Sequence, residues 1–335
     1  MSLFDALRTS LRTSELVRAR GAYATRDPSL VGAVQLQLLN DEWARVTRES
    51  PWFSRLKRER GLPGAFLSLG EFAARVPVTR APLENGALRA IPCLTRPPEL
   101  YRTSGRLAAH DLPAWESELA YARADRLFAR DRYGVAPGDG VFVLDAPERR
   151  PRHGPRAALR AFERGLHDRV LGARRFTLRS LDAESLARSA RALVAAGAKV
   201  IAGRGDVLDA FARANVARRD DLCALGARLV VASPKQPADP DRLRDLFGCP
   251  VATEYAAVED DPIAHTLPDR DAPVVFWRSW LVEADPTHAP EGSARLVVTS
   301  LYPRCFPVVR CDVGDVIARP SADAGESGLL ELVAH

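Results

Sequence analysis

Three features of the sequence predict an α/β fold. Apolar runs of six or seven residues, GVFVLD (140–145), AKVIAG (198–203), ARLVVAS (227–233) and CPVATEY (249–255), recur along the chain. Between them lie stretches with apolar residues three and four apart, opened by capping residues and closed by glycine. From Pro273 onward the helical period fades into short strands joined by turns. Repeated strand–helix–strand units favour a parallel sheet with helices on its faces, and such sheets bind ligands beyond the carboxyl ends of their strands.

Taken in order, residues 1–50 carry a helical pattern, clearest in LVGAVQLQLLNDEWARV. Prolines 51, 63, 77, 82, 92, 97 and 98 break the next segment into short helices and extended connections. DLPAWESELAYARADRLFARDRYG reads as a helix capped by Asp111 that feeds the strand at 140–145. A helix over 155–169 and an extended ARRFTLRSL follow. SLDAESLARSARALVAAG is capped by Ser180 or Asp182 and stops at Gly197. Helices over 205–216 and 239–248 complete the alternation, and PVVFW, SWLVEAD, ARLVVTSL, PVVRCDVGDVIA and GLLELVA form the β-rich tail. The expected division is a helical leader over 1–100, an α/β core over 101–270 and a β-rich subdomain over 271–335.

Composition narrows the function. The 335 residues are 46% apolar and 27% charged, which is globular rather than disordered. A net charge of +5 with both signs interspersed gives no nucleic-acid footprint. Only Lys57, Lys199 and Lys235 are lysines, so arginine supplies nearly all the positive charge. Five cysteines (Cys93, Cys223, Cys249, Cys305, Cys311) lack C-x-x-C spacing, which argues for reduced thiols and against structural zinc. The N-terminus has no apolar signal core and no run is long enough to span a bilayer, so a cytoplasmic location is expected. The histidines show no metal-binding spacing, and His265 reads as a surface or loop imidazole. Gly203-Arg204-Gly205 lacks the rest of a dinucleotide fingerprint.

The most informative stretch is 247–315. FGCPVATEYAAVEDD ends a strand in Tyr255-Ala-Ala-Val-Glu259, and ARLVVTSLYPRCFPVVRCDVGDV ends in Gly314-Asp315. These residues resemble the phenylacetate–CoA-ligase-like and coenzyme-F390-synthetase-like branch of the adenylate-forming superfamily. There, a strand ending in Tyr-Gly-x-Thr-Glu precedes a segment ending in Arg-Tyr-x-Thr-Gly-Asp. YRTSGRLAAHDLPAWE (101–116) stands where that family carries its phosphate loop, and GARLVVASPKQP where it carries a Gly-Gly-Glu-Pro strand end.

The resemblance implies an adenylate-forming N-terminal domain, with parallel sheets flanked by helices and a β-rich C-terminal subdomain. It implies ATP or AMP as nucleotide, Mg²⁺ as cofactor, and a small carboxylate or acyl substrate. Glu259 would hold the metal, a hard cation suited to carboxylate oxygen. Tyr255 would cover adenine, Ser233 would line the pocket, and Asp315 would accept the ribose hydroxyls. Thr103, Ser104 and Gly105 would meet phosphate. The loop then departs from the family: Arg106-Leu107-Ala108-Ala109-His110 replaces glycine, threonine and lysine. Arg106 would supply charge as a rigid fork, and each added Cβ restricts backbone approach to phosphate. About twenty residues follow Asp315, so the chain is expected to be the large domain alone, without the family's small C-terminal domain. The implied activity is AMP-forming activation of a carboxylate for transfer to a thiol or amine, with a possible protein partner as acceptor or as donor of the small domain. The alternative is a non-adenylating relative that acts as a binding or scaffold subunit or as an acyl-transfer partner.

Overall fold

A computed structural model of the chain describes residues 3–24, 27–79, 99–102, 111–114, 116–145, 172–178, 180–233, 238–257, 261–268, 273–287, 289–304 and 306–318. Helices α1 (Leu3–Ala22), α2 (Pro28–Glu49), α3 (Pro51–Arg60) and α4 (Leu69–Arg75) come first. Strands β1 (Glu99–Arg102) and β2 (Asp111–Ala114) precede α5 (Glu116–Asp131). The alternating region contains β3 (Val141–Asp145), β4 (Ala173–Thr177), α6 (Ala183–Ala196), β5 (Val200–Arg204), α7 (Gly205–Ala214), α8 (Arg219–Ala224), β6 (Leu229–Ser233), α9 (Pro240–Phe247) and β7 (Val251–Ala257). Strands β8 (Asp261–His265), β9 (Val274–Val275), β10 (Trp280–Asp285), β11 (Ser293–Ser300) and β12 (Cys311–Ala318) follow. The expected helix at 155–169 and strand GLLELVA lie outside the described residues.

The backbone divides into two compact units. The first comprises Met1–Arg18, Leu127–Tyr255 and Thr266–Asp271; the second comprises Ala19–Arg126, Ala256–His265 and Ala272–His335.

In the first unit, β3 to β7 run parallel in the order β4-β3-β5-β6-β7. Because side chains alternate, the register builds two different faces. Phe142, Ile201, Val230 and Val251 align across one face and pack with Leu193, Leu208, Phe211, Leu243 and Phe247 from the helices. Val141, Val200 and Leu229 align on the other, with Val231, Ala252 and Val135. The helix starts and stops follow their local chemistry. Asp182, not Ser180, caps α6 by accepting from the Ser185 N–H, and Gly197 ends it in the left-handed conformation. Asp239 caps α9 through the Asp241 and Arg242 N–H groups.

Gly203 has a packing role: a Cβ there would lie 2.8 Å from the Leu144 carbonyl oxygen and 3.3 Å from Leu208. Gly203→Ala therefore overpacks the β3–β5 seam and should destabilise the first unit by about 1–3 kcal/mol, read as a lower urea midpoint.

The second unit has an aromatic core in which Trp43, Phe53, Phe66 and Phe72 meet edge to face or tilted, with Leu39, Val46, Leu301 and Val309 around them. Strands β10, β11 and β12 form an antiparallel sheet in that order. Beside the core runs a buried polar chain. Arg304 is completely buried, ion-paired with Asp261, and donates to the Tyr302 hydroxyl at 2.7 Å. Its guanidinium lies 5.4 Å from the Trp280 ring centroid, and the Trp280 indole donates to the Pro262 carbonyl. Arg45 forks onto Glu42 and donates to the Arg304 carbonyl at 3.0 Å.

Asp125 lies near this chain, fully buried, accepting from the Tyr23 hydroxyl at 2.6 Å. Burial pushes its carboxyl up to about 7, and the charge of Asp261 adds to the rise while bonds from Tyr23 and Ser279 oppose it. The folded value exceeds the ordinary 3.8, so the native state binds more protons between those limits. Stability contributed by this group is thus present at acid pH and lost as pH climbs through about 7. Asp125→Asn should raise stability at pH 8 by about 1–3 kcal/mol and flatten the decline between pH 4 and 7. Some slope should persist, because burial also pushes Glu42 up to about 7 against the Arg45 fork.

Candidate functional site

The parallel register sets two of the expected site residues at neighbouring strand ends. Ser233 closes β6 opposite Arg204, half-buried. On β7, Thr253 pairs with Ala232, and Tyr255 follows two residues later, 7% exposed. Ser233 continues the Leu229–Val231 face, whereas Tyr255 continues the Val251–Thr253 face. The two side chains therefore leave the strands on opposite sides. A ligand held by both has to lie across the strand ends rather than on either face. The Thr253 N–H donates to the Thr266 hydroxyl at 2.7 Å, and the Thr266 N–H returns to the Thr253 carbonyl at 2.9 Å. Tyr133 donates to the Thr266 carbonyl, so this end of β7 is pinned from both sides.

Asp315 belongs to the second unit, where the structure reveals a feature that the sequence did not signal. Arg295 pairs with Val316 and Val297 with Asp312, so Leu296 alone faces Val313, Gly314 and Asp315. The result is a bulge, a device that redirects side chains at sheet margins and next to active sites. Gly314 takes φ 83° there, which a Cβ disfavours, and its N–H donates to Asp312 Oδ1 at 2.8 Å. Asp312 is itself buried and paired with Arg295 at 3.2 Å. Asp315 is half-buried at the bulge.

The strand enters this bulge from Arg310, a non-glycine residue at φ 44°. That strained conformation is held from all sides. The guanidinium donates to the carbonyls of Ala73 and Val76 and pairs with Glu283 at 3.2 Å. The Arg310 N–H donates to the Thr299 hydroxyl, and the Thr79 N–H donates to its carbonyl. Burial raises the Glu283 carboxyl, an effect that Arg310 opposes.

Thr103, Ser104, Gly105, Arg106 and Glu259 lie outside the described residues. β1 and β2 pair antiparallel from Glu99↔Ala114 to Arg102↔Asp111. This corrects the expectation that Asp111 caps a helix: it begins β2, and α5 starts at Glu116. Pro113 was the available signal, because the residue before a proline is pushed towards extended backbone.

His265 is a second correction. It is 1% exposed at the end of β8, a strand the sequence reading did not mark, and is no surface imidazole. Cys311 is buried, and burial pushes the Cys249 thiol up to about 11, away from nucleophilic use. Among the described residues no group of three or more His, Cys, Asp or Glu can hold a metal ion. None of their helices is long and apolar enough to cross a membrane.

No protein-family model matches the sequence, and no curated protein matches it. Solved structures do match. An open conformation of 2-hydroxyisobutyryl-CoA ligase in complex with 2-HIB-AMP and CoA is similar at a TM-score of 0.63 and 19% identity, over 85% of this chain and 64% of that one. The same ligase in its postadenylation state gives 0.61 and 20%, over 88% and 64%. In the thioesterification state it gives 0.56 and 20% with the same coverage. The chain thus spans about 64% of the ligase's length and has the α/β fold of this adenylate-forming enzyme.

Proposed function

We propose that the chain is an adenylate-forming ligase-type protein that uses ATP to activate a small carboxylate for transfer to a thiol or amine. One observation carries the reading: 85% of the chain follows the fold of a ligase crystallised with an acyl-adenylate and CoA. The residues resembling that superfamily's motifs, Tyr255 at a strand end and Asp315 after Gly314, support it. The affiliation to the phenylacetate–CoA-ligase-like branch rests on those same motifs.

In this reading a substrate carboxylate oxygen attacks the α-phosphorus of ATP, forming acyl-AMP and releasing pyrophosphate. A thiolate or amine then attacks the acyl carbon and AMP leaves. Tyr255 presents an aromatic ring for adenine, and Ser233 lines the neighbouring strand end. Asp315 accepts hydrogen bonds from both ribose hydroxyls. Thr103, Ser104 and Gly105 offer hydroxyls and N–H groups to phosphate, and Arg106 brings fixed positive charge to the oxygens that become more negative. Glu259 is the carboxylate assigned to Mg²⁺, which when bound neutralises phosphate charge. The small C-terminal domain of the superfamily, or a partner that replaces it, belongs to the same proposal.

The test is carboxylate-dependent exchange of pyrophosphate into ATP, screened over small hydroxy, aromatic and fatty acids. Exchange with one acid class is expected; none with any class, alongside no calorimetric AMP binding, overturns the reading. Asp315→Ala should weaken AMP and ATP alike by roughly ten- to a hundredfold, because the ribose is common to both and the lost bonds are charge-assisted. Glu259→Gln should weaken ATP in the presence of Mg²⁺ while leaving AMP nearly unchanged. Equal losses for the two nucleotides would remove its metal role.

A further inference from the structure

Strands β11 and β12 are regular on both sides of their bulge. Ser293↔Ala318 and Ala294↔Ile317 pair on one side, and Val298↔Cys311 on the other. Ala294, Ile317, Val298 and Cys311 are all buried, so each side is held by its own packing. Over residues 313–315 the backbone ladder lets go, and the Gly314 N–H falls outside the paired register. Asp312 meets it instead: Oδ1 accepts that N–H at 2.8 Å, across the two-residue reach of an Asx turn. The bond closes around a Gly314 φ of 83°, where a Cβ is disfavoured.

Asp312 is only 4% exposed, and a carboxylate so buried needs a charged partner. Arg295 supplies one, its guanidinium 3.2 Å from Oδ2. Val297 pairs with Asp312 and Arg295 with Val316, so Arg295 and Asp312 project from the same face of the sheet, at opposite ends of the bulge. Their ion pair thus bridges, through side chains, the stretch that the backbone leaves unpaired. Both carboxylate oxygens of Asp312 are turned to the sheet's own groups, which suits it to hold the turn and not to receive a ligand.

From this brace of Arg295, Asp312 and the Gly314 N–H, we infer that Asp312 is a positioning residue, fixing the turn from which Asp315 meets the ribose hydroxyls. The inference rests on the nucleotide reading of Asp315. A preset acceptor gives up little freedom when a nucleotide binds, whereas a turn without its brace has to be ordered at that moment. The bond to Gly314 is charge-assisted and the Arg295 pair holds the same carboxylate from β11, so the turn is fixed from both strands. The brace secures selectivity for the ribose diol, not the pairing of the strands, and the two roles separate experimentally.

The test uses the full chain and begins with hydrogen exchange, resolved to single amides by NMR, which needs no ligand. In Asp312→Ala the Gly314 amide should exchange about tenfold or more faster, while Ala294 and Val298 stay within about twofold of wild type. Calorimetry with AMP and 2′,3′-dideoxy-AMP then reads the diol. The wild type should prefer AMP, and Asp315→Ala should abolish that preference. Asp312→Ala should cut the preference about tenfold, as should Gly314→Ala, which strains the same turn from another atom. Asp312→Asn keeps an oxygen for the Gly314 N–H and should retain more of the preference than Asp312→Ala. The inference is overturned if Gly314 exchange is unchanged, if the amides of β11 open along with it, or if Asp312→Ala keeps the diol preference that Asp315→Ala loses. That last result leaves the nucleotide reading standing. A wild type that binds AMP no better than the dideoxy form, or a preference indifferent to Asp315→Ala, removes the reading itself and the inference with it, whatever the exchange shows.

Discussion

The in-register parallel pairing of β3, β5, β6 and β7 is the constraint on which the first unit depends. It aligns Val141 with Val200 and Leu229, and Phe142 with Ile201 and Val230, so two apolar faces are complete only in this register. A slip by one residue would send each set to the opposite face, where the packing partners do not match it. The same register fixes where each strand stops, and so brings Ser233 and Tyr255 to adjacent ends. Gly203 shows how close the tolerance is, since the β3 carbonyl of Leu144 already occupies the space of a methyl group. The placement of these two candidate residues is a by-product of core geometry, not a separate arrangement of loops.

The second unit rests on different physics, because its irregular chain is held by buried guanidinium groups. Arg304 pairs with the Asp261 carboxylate of β8, and Arg310 satisfies the Ala73 and Val76 carbonyls at the end of α4 while pairing with Glu283. Burying such charge is costly unless every donor finds a partner, and removing one partner costs several kcal/mol. Arginine suits this use better than lysine, since its planar fork serves several acceptors from one side chain. The bias towards arginine, which looked compositional, thus has structural use at these positions.

Much of the fold was legible because its signals are local. The strands at 140–145, 198–203, 227–233 and 249–255 and the helices Ala183–Ala196, Gly205–Ala214 and Pro240–Phe247 lie within a few residues of expectation, since apolar period and capping chemistry are written in adjacent residues. Failures arose where distant contacts decide. DPIAH is polar in sequence, yet β8 is buried throughout, because Arg304, forty-three residues away, neutralises Asp261. DLPA joined a helix on paper and a strand in space, because β1 supplies its partner. The candidate site was legible as a set of residue types and no further: the motif spans β11 and Gly314-Asp315, but the bulge depends on how β11 pairs with β12, which residue types alone do not give.

That bulge has a consequence of parity. On β12 the chain advances from Asp312 to Val316 while β11 moves from Val297 to Arg295, so the excess over a regular ladder is two residues. Two is one full period of a strand, and the alternation of inward and outward side chains therefore resumes unchanged on either side. A single extra residue would have inverted every position from Val316 onward, burying what is exposed and exposing Ile317. Gly314 and Asp315 together form a removable pair: the sheet can gain or lose them without refacing any neighbour. An acidic group at this edge is thus a local addition to the sheet, separable from the packing that holds the sheet together.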